Sequence, residues 1–356
     1  MGWGARALEG LVRRPDPAFW AGKRVMLTGH TGFKGAWAAR LLGLMGAEVT
    51  GFALHPAAGP SAFGALGVAA GLARDLRGDL RDAGAVAGAV QGAEIVLHLA
   101  AQAIVSEGYR DPVGTWESNV TGTLNLLQAL RGSDAKAAVI VTSDKVYRNE
   151  GGRAFVETDA LGGEDPYSAS KAACEILAAS HRASVADLPP LATARAGNVI
   201  GGGDFGRDRL IPDLVRAKVA GQPLVLRNPD ATRPFQHVLD VVAGYLILAE
   251  ALAQGVAPQS VNFGPAEAEL SVRDLLFLWS QATGEALNWQ LSDAPPMPEK
   301  SRLALDSGLA RARLHWAPRQ STAQAVAATA KWYAAWALGQ DMTAASDAAI
   351  RDFLEI

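Results

Sequence analysis

The stretch Val25-Met26-Leu27-Thr28-Gly29-His30-Thr31-Gly32-Phe33-Lys34-Gly35 decides how this chain is read. A compact apolar run leads straight into three glycines spaced three apart, and a helical pattern, Ala36-Trp37-Ala38-Ala39-Arg40-Leu41-Leu42, comes next. Glycines at a strand-to-helix junction let the backbone turn tightly and approach a pyrophosphate, whose charge is met by N–H groups at the helix N-terminus. The spacing is GxxGxxG, slightly different from the commoner GxGxxG, and tight turns also produce glycine trios. Its place after a strand, near the start of an α/β pattern, favours a dinucleotide site. Gly29, Gly32 and Gly35, with His30 and Phe33 of the same loop and Ala100 at the end of a later strand-like run, are the expected cofactor-binding residues.

Outward from this loop, strand-like runs recur at 48–54, 94–101, 137–142 and 191–196. Alanine- and leucine-rich segments of helical length separate them, at 83–90, 112–130 and 167–182. Strands alternating with helices predict βαβ units and a mostly parallel, doubly wound Rossmann-type sheet. Short apolar runs without alternation fit strands covered on both faces. After about residue 200 the rhythm breaks: Gly201-Gly202-Gly203-Asp204 is a turn, and Pro212, Pro223, Pro229 and Pro234 punctuate the less regular segment beyond it. The expected division is an N-terminal extension over 1–18, a Rossmann domain over 19–200, and a smaller, mostly helical substrate lobe over 201–356. Residues 235–265 are expected to carry the chain back to the first domain.

Composition excludes several classes. The 356 residues carry a formal net charge of −3 with no basic block, so neither nucleic acid nor an anionic membrane surface is an expected partner. No apolar stretch reaches the roughly 18 residues of a membrane span. The first 18 residues contain Arg6, Arg13, Arg14 and Asp16 and no long apolar core, which argues against a secretory signal. They are read as a short extension packing a small helix through Trp3, Leu8, Leu11 and Val12. The single cysteine, Cys174, cannot form an intramolecular disulfide, so a cytoplasmic location is expected and the thiol is read as a small core side chain. No metal-ligand set is assigned.

The second motif is Tyr167-Ser168-Ala169-Ser170-Lys171. A spacing of four puts phenol and amine on one helix face. Tyrosine ionises near pH 10, so its use as a base near neutrality needs a stabilised phenolate, and a lysine ammonium one turn away with a positive nicotinamide ring supplies that. A solvated helix face would give the same spacing, but here it comes after a dinucleotide loop and Thr142-Ser143-Asp144-Lys145. The choice of NAD over NADP is not decided by the second strand, which ends Gly51-Phe52-Ala53-Leu54-His55 with neither a carboxylate nor an arginine cluster. Asp79 is placed near the adenine, with a plain turn carboxylate as the alternative.

With these motifs in hand, GHTGFKG, TSDKVY, DPYSASKA, RAGNVIGGGD, RDRLIPD and RPFQHV succeed one another as in the extended short-chain dehydrogenases. Over about 19–336 the chain resembles the nucleotide-sugar 4,6-dehydratases among them. Asp144-Lys145 is similar to the CDP-glucose branch, where lysine stands in place of the acidic residue of the dTDP-glucose and GDP-mannose branches. The resemblance implies NAD as cofactor, CDP-glucose as favoured substrate, and a homodimer or homotetramer packed through the helices at 167 and 112–130. It further implies that Tyr167, helped by Ser143, takes the 4-hydroxyl proton while the C4 hydride passes to NAD. Lys145 then removes the C5 proton, Asp144 protonates the leaving 6-hydroxyl, and hydride returns to C6.

A general acid must hold its proton and a lysine base must lack one. Moving lysine from about 10.4 to about 7 costs roughly 4–5 kcal/mol, and a neighbouring carboxylate opposes it. A neutral carboxylic acid–amine pair has the same proton count as the ion pair, so a dry site favours it by desolvation. Adjacent residues on a strand point to opposite faces, so a local bend is expected at 144–145.

On the substrate side, arginine suits a diphosphate through its planar fork. The resemblance assigns Arg233 this role, with Arg209 as a second candidate. Asn198 should sit at the mouth of the site, where ligands collect in open α/β sheets. His237 is placed with the substrate side, though it and His30 are read as more structural than catalytic. Two departures from the family pattern stand out: Ala103 and Ser106 where proline and arginine are usual, and Phe235 where tryptophan is usual. The competing reading is a nucleotide-sugar epimerase, which shares Tyr167 and Lys171 but needs no acid–base pair to expel a hydroxyl. A non-catalytic redox-sensing protein would tend to lose the tyrosine–lysine pair.

Overall fold

A computed structural model describes residues 12–148, 152–293 and 302–356. Helix α1 (Pro17–Trp20) precedes β1 (Arg24–Thr28), α2 (Phe33–Leu44), β2 (Glu48–Ala53), the short α3 (Ala62–Ala65), β3 (Arg74–Arg77), α4 (Ala83–Val90) and β4 (Ile95–His98). Next come α5 (Val105–Arg110), α6 (Pro112–Trp116), α7 (Gly122–Ala129), β5 (Ala137–Val141), α8 (Pro166–Ser184) and β6 (Leu191–Ala196). The second half holds β7 (Val199–Ile200), α9 (Leu210–Ala220), β8 (Leu224–Leu226), β9 (Thr232–Arg233), β10 (Gln236–His237), α10 (Val238–Ala253) and β11 (Ser260–Phe263). It ends with β12 (Leu270–Ser271), α11 (Val272–Thr283), β13 (Trp289–Leu291), α12 (Gly308–Leu314), α13 (Thr322–Ala337) and α14 (Met342–Leu354).

Seven strands form one parallel sheet in the order β11-β6-β5-β4-β1-β2-β3, the doubly wound arrangement read from the sequence. Its central strands are buried along their whole length. Alternate residues feed opposite faces: Val25 and Leu27 join the core under α2 and α10, while Met26 joins the one under α4 and α7. This is why the apolar runs show no period-two alternation.

The chain passes between the sheet layer and the second lobe more than once. Helix α10 lies against β5 and β6, and β11 completes the sheet beside β6, so residues 238–263 belong to the sheet layer. Three two-stranded ribbons, β7–β10, β9–β12 and β8–β13, build the lobe above the strands' C-terminal ends. The described part of the N-terminal extension is anchored on α10, where the buried Glu250 accepts from Arg13 Nη2 (2.5 Å), the Asp16 N–H (2.8 Å) and Trp20 Nε1 (2.6 Å). The expected helix through Trp3, Leu8 and Leu11 lies outside the described residues.

The helix expected over 112–130 is interrupted by a π-helical turn at Glu117–Thr121. The wider turn lets the Asn119 carbonyl accept from Thr123 Oγ1 (2.6 Å) and Cys174 Sγ (3.2 Å). The Asn119 amide reaches Ser170 Oγ (2.8 Å) on α8 and the Gln102 carbonyl (3.0 Å). Side-chain bonds of this kind carry no signal in a hydrophobic period, and π turns cluster at functional sites. Cys174 is buried, a core thiol.

Candidate active site

Two glycines fix the dinucleotide loop. Gly29 has φ +76°, and a Cβ there would stand 2.7 Å from the Ala100 nitrogen; one on Gly35 would stand 2.0 Å from the Gly29 carbonyl oxygen. The loop therefore closes against Ala100 and against the first turn of α2 only with both side chains absent. Gly32 is the N-cap of α2 and offers no side chain to its N–H groups, so that end of the helix is available to a pyrophosphate. This donor geometry fits NAD. His30 is turned beneath the loop: its Nε2 pairs with Asp75 on β3 at 2.9 Å, its ring abuts Gly51, and burial lowers its pKa.

Asp79 comes just after β3, but its carboxylate is engaged by the Arg81 backbone N–H (2.9 Å) and guanidinium (2.7 Å). Asp79 thus stands at the end of β3 as a turn carboxylate paired with Arg81, still partly exposed. His237 serves as the N-cap of α10. Its Nδ1 caps α10 by accepting from the Leu239 N–H (3.3 Å) and faces the Gln320 amide at 3.2 Å, so the buried ring is outside the substrate cavity. Burial pushes its pKa down to about 4.

The remaining residues converge. A cavity of about 1000 Å³ between the sheet's C-terminal edge and the lobe is lined by Ser143, Asp144, Lys145 and Tyr167, and by Asn198, Arg209 and Arg233 opposite. The chain leaves β5 through Ser143, which caps a 3₁₀ turn over Asp144–Val146. That turn is the bend that lets neighbouring residues 144 and 145 both reach the cavity. Ser143 Oγ accepts from the Lys145 N–H (3.2 Å) and donates to Asp144 Oδ1 (2.9 Å). Ser143 also acts on the Tyr167 phenol, favouring its ionised form.

Burial raises Tyr167 to about 12, with Asp144 adding to the shift and Ser143 opposing it. Taking a proton near pH 7 from that state would cost about 7 kcal/mol, so added positive charge must arrive before the phenol can act as a base. The Lys171 ammonium lies one turn along α8, but donates to the Val141 carbonyl at 3.0 Å. Spacing sets the shared face; the buried ammonium's need for an acceptor sets where it points.

Beneath the site, Glu175 continues the same face of α8 and accepts from Thr142 Oγ1 (2.5 Å), Thr193 Oγ1 (2.6 Å) and Arg195 Nη2 (2.8 Å). It holds α8 against β5 and β6, and with them Tyr167 against Ser143. On the lobe side, Arg209 Nη1 is held by Asp204 (2.9 and 3.1 Å), while Arg233 is buried on β9 with Nη1 on the Thr232 carbonyl (2.7 Å). The departing loop residues Ala103 and Ser106 line the cavity, and Ser106 Oγ bonds Asp208. Phe235 is buried on the same wall.

Sequence reasoning missed Glu175, Asp204 and Lys34. The first two act through side-chain bonds that no spacing rule reports. Lys34 was in view: it is the one lysine or arginine in the glycine-rich loop.

Sheet order, glycine loop and tyrosine–lysine helix define a class, and comparison with known proteins gives the same one. Residues 25–264 match the NAD dependent epimerase/dehydratase family, and the chain belongs to that family. NAD is its cofactor. The chain is 38% identical over 356 residues to the CDP-glucose 4,6-dehydratase of Salmonella typhimurium, covering 95% of this chain and 98% of that protein. It is 30% identical over 239 residues to the dTDP-glucose 4,6-dehydratase of Streptomyces griseus, covering 67% and 71%. Among solved structures it is similar to DesIV, a dTDP-glucose 4,6-dehydratase from Streptomyces venezuelae with NAD bound, with TM-score 0.76, 26% identity and coverage of 89% and 98%. A UDP-glucose-4-epimerase from Stenotrophomonas maltophila superposes with TM-score 0.80 at 24% identity over 89% and 99%, which bears on the fold alone.

Proposed function

We propose that the chain is a nucleotide-sugar 4,6-dehydratase acting on CDP-glucose to give the 4-keto-6-deoxy sugar nucleotide. The observation that carries this reading is the 3₁₀ turn that brings Asp144 and Lys145 into one cavity with Tyr167. An epimerase needs the phenol alone; expelling a hydroxyl needs an acid and a base on the far carbons. The likeness to the Salmonella enzyme supports the choice of CDP-glucose.

Bound NAD supplies a hydride acceptor and later donor, so the reaction is redox-neutral overall and releases one water. Tyr167, helped by Ser143, takes the proton of the 4-hydroxyl as C4 is oxidised. Lys171, one turn along α8 and held by the Val141 carbonyl, would help hold the cofactor and supply positive charge favouring the phenolate. The 4-ketone acidifies C5; Lys145 accepts that proton and Asp144 gives one to the departing 6-hydroxyl. Protonation at C5 and reduction at C6 complete the product. Arg209 and Arg233 hold the diphosphate, Asp204 keeps the Arg209 fork aimed, and Asn198 lies at the mouth.

We also infer a homodimer or homotetramer. Val113 and Trp116 on α6, Leu124 on α7 and Ile176 on α8 expose apolar surface between 36% and 66%, on the helices named for packing, and such surface marks an association face. A cytoplasmic location fits the single buried thiol; among the described residues no helix is long and apolar enough to cross a membrane.

The test is incubation of the purified protein with CDP-, dTDP-, GDP- and UDP-hexoses, then mass spectrometry. Loss of one water from CDP-glucose ahead of the others is expected. Turnover of any of them with water retained would point to an epimerase. Light scattering of a Trp116→Glu, Ile176→Glu variant should show a smaller assembly than the parent.

A further inference from the structure

Lys34 is a cation the mechanism above leaves unused. It is the second residue of α2, beside the helix end offered to the cofactor, yet its side chain turns into the main cavity. The Nζ stops 3.5 Å from the Tyr245 hydroxyl and 5.8 Å from the centre of that ring. Tyr245 is itself buried on α10, edge-on to Phe263. Among the described residues no carboxylate comes within ion-pair distance of Lys34. Burial together with the nearby charges of Lys171 and Arg209 holds the amine down at about 7, only partly offset by Asp144 and Asp204. Asp204 is already bound to Arg209.

A lysine at a helix start ordinarily extends its ammonium into water. One turned inward without a counter-ion is costly, and such groups concentrate where charge changes during function. The charge that changes here is on the nicotinamide, which is positive when oxidised and neutral when reduced. A nearby ammonium disfavours the positive form.

We propose that Lys34, propped on Tyr245 beside Lys171, is an electrostatic group that raises the reduction potential of the bound dinucleotide and so favours C4 oxidation. This rests on the proposed function only in setting the nicotinamide beside Tyr167 and Lys171. The charged and titratable groups facing Lys34 are Lys171 and Tyr167 from α8, Asp144 from the turn after β5, Asp204 and Arg209 before α9, and Tyr245 from α10. Lys34 is charged below about pH 7 and neutral above it, so the preference for the reduced dinucleotide should weaken as pH rises through that value.

The full-length protein, freed of nucleotide, is titrated with NAD and with NADH by calorimetry. In Lys34→Met the ratio of the two affinities should shift toward NAD by about tenfold, the effect of a unit charge at roughly 10 Å with an effective dielectric of about 20. Equal loss of both affinities would overturn the proposal and make Lys34 a pyrophosphate ligand or a packing residue. The same ratio in the unaltered protein, measured from about pH 6 to about pH 8, should fall with rising pH; a flat ratio overturns the proposal without relying on a variant that folds. Failure of the dehydratase reading shows separately, as retained water in every sugar nucleotide.

Discussion

The two walls of the cavity are built by different means. On the sheet side, the dinucleotide loop beside the reacting side chains is shaped by backbone: glycines that admit no Cβ, a helix end without a side-chain cap and strands buried on both faces. The lobe-side wall is made of side chains on loops, a helix start and two- and three-residue strands, aimed by partners such as Asp204 for Arg209. Backbone geometry suits the constant half of the chemistry, holding a dinucleotide. Aimed side chains suit the variable half, choosing a sugar nucleotide, because one substitution re-aims them without moving the sheet.

The difference predicts a graded response to substitution. Gly35→Ala forces a Cβ to 2.0 Å from the Gly29 carbonyl oxygen. We expect loss of bound NAD and a stability cost above about 4 kcal/mol, read by nucleotide content and urea unfolding. If that variant kept NAD and stability, the account of a backbone-built dinucleotide loop would fail.

Lys145→Ala should leave fold and NAD intact yet lower kcat by about 10²–10⁴-fold. Exchange of the C5 proton on an added 4-keto intermediate should fall with it. Undiminished exchange would remove Lys145 from the role of base.

Arg209→Ala should act on the lobe alone, raising KM by about 10–100-fold through lost charge-assisted bonds to phosphate. Asp204→Asn, which leaves the arginine but loosens its aim, should fall between parent and Arg209→Ala. A change in NAD content instead would break the division between the walls.

The smallest effect concerns pH. Burial holds His237 at about 4, below the 6.5 of an exposed histidine. The stability this neutral ring permits is complete above about pH 6.5 and declines as pH falls toward about 4. His237→Asn keeps an N-cap side chain for α10 and should remove about 1–2 kcal/mol of the loss seen between about pH 7 and about pH 5. An unchanged acid profile would show that the ring is not held neutral.

Legibility in the sequence divides along the same line. The parallel, doubly wound class and the glycine loop were legible because burial on both faces and forbidden Cβ positions leave direct traces in residue type, whereas the exposed edge strand β3 and the returning strand β11 were not among the quoted runs. Tyr167 and Lys171 were legible because 3.6 residues per turn fixes their shared face. The direction of the Lys171 ammonium, the spending of Asp79 on Arg81 and the capping role of His237 were not, since each depends on which acceptor or donor the fold brings near. The π turn at Glu117–Thr121 was hidden for the same reason, being held by Asn119. Lys34 shows the opposite failure: the residue was plain, but only the cavity gave it a role.

The most direct test tracks CDP-glucose, deuterated at C4, through one reaction in ordinary water. The account predicts a product lighter by one water, with the label transferred to C6 and a solvent hydrogen at C5. A C4 epimer that keeps its oxygen and returns the label to C4 would contradict it.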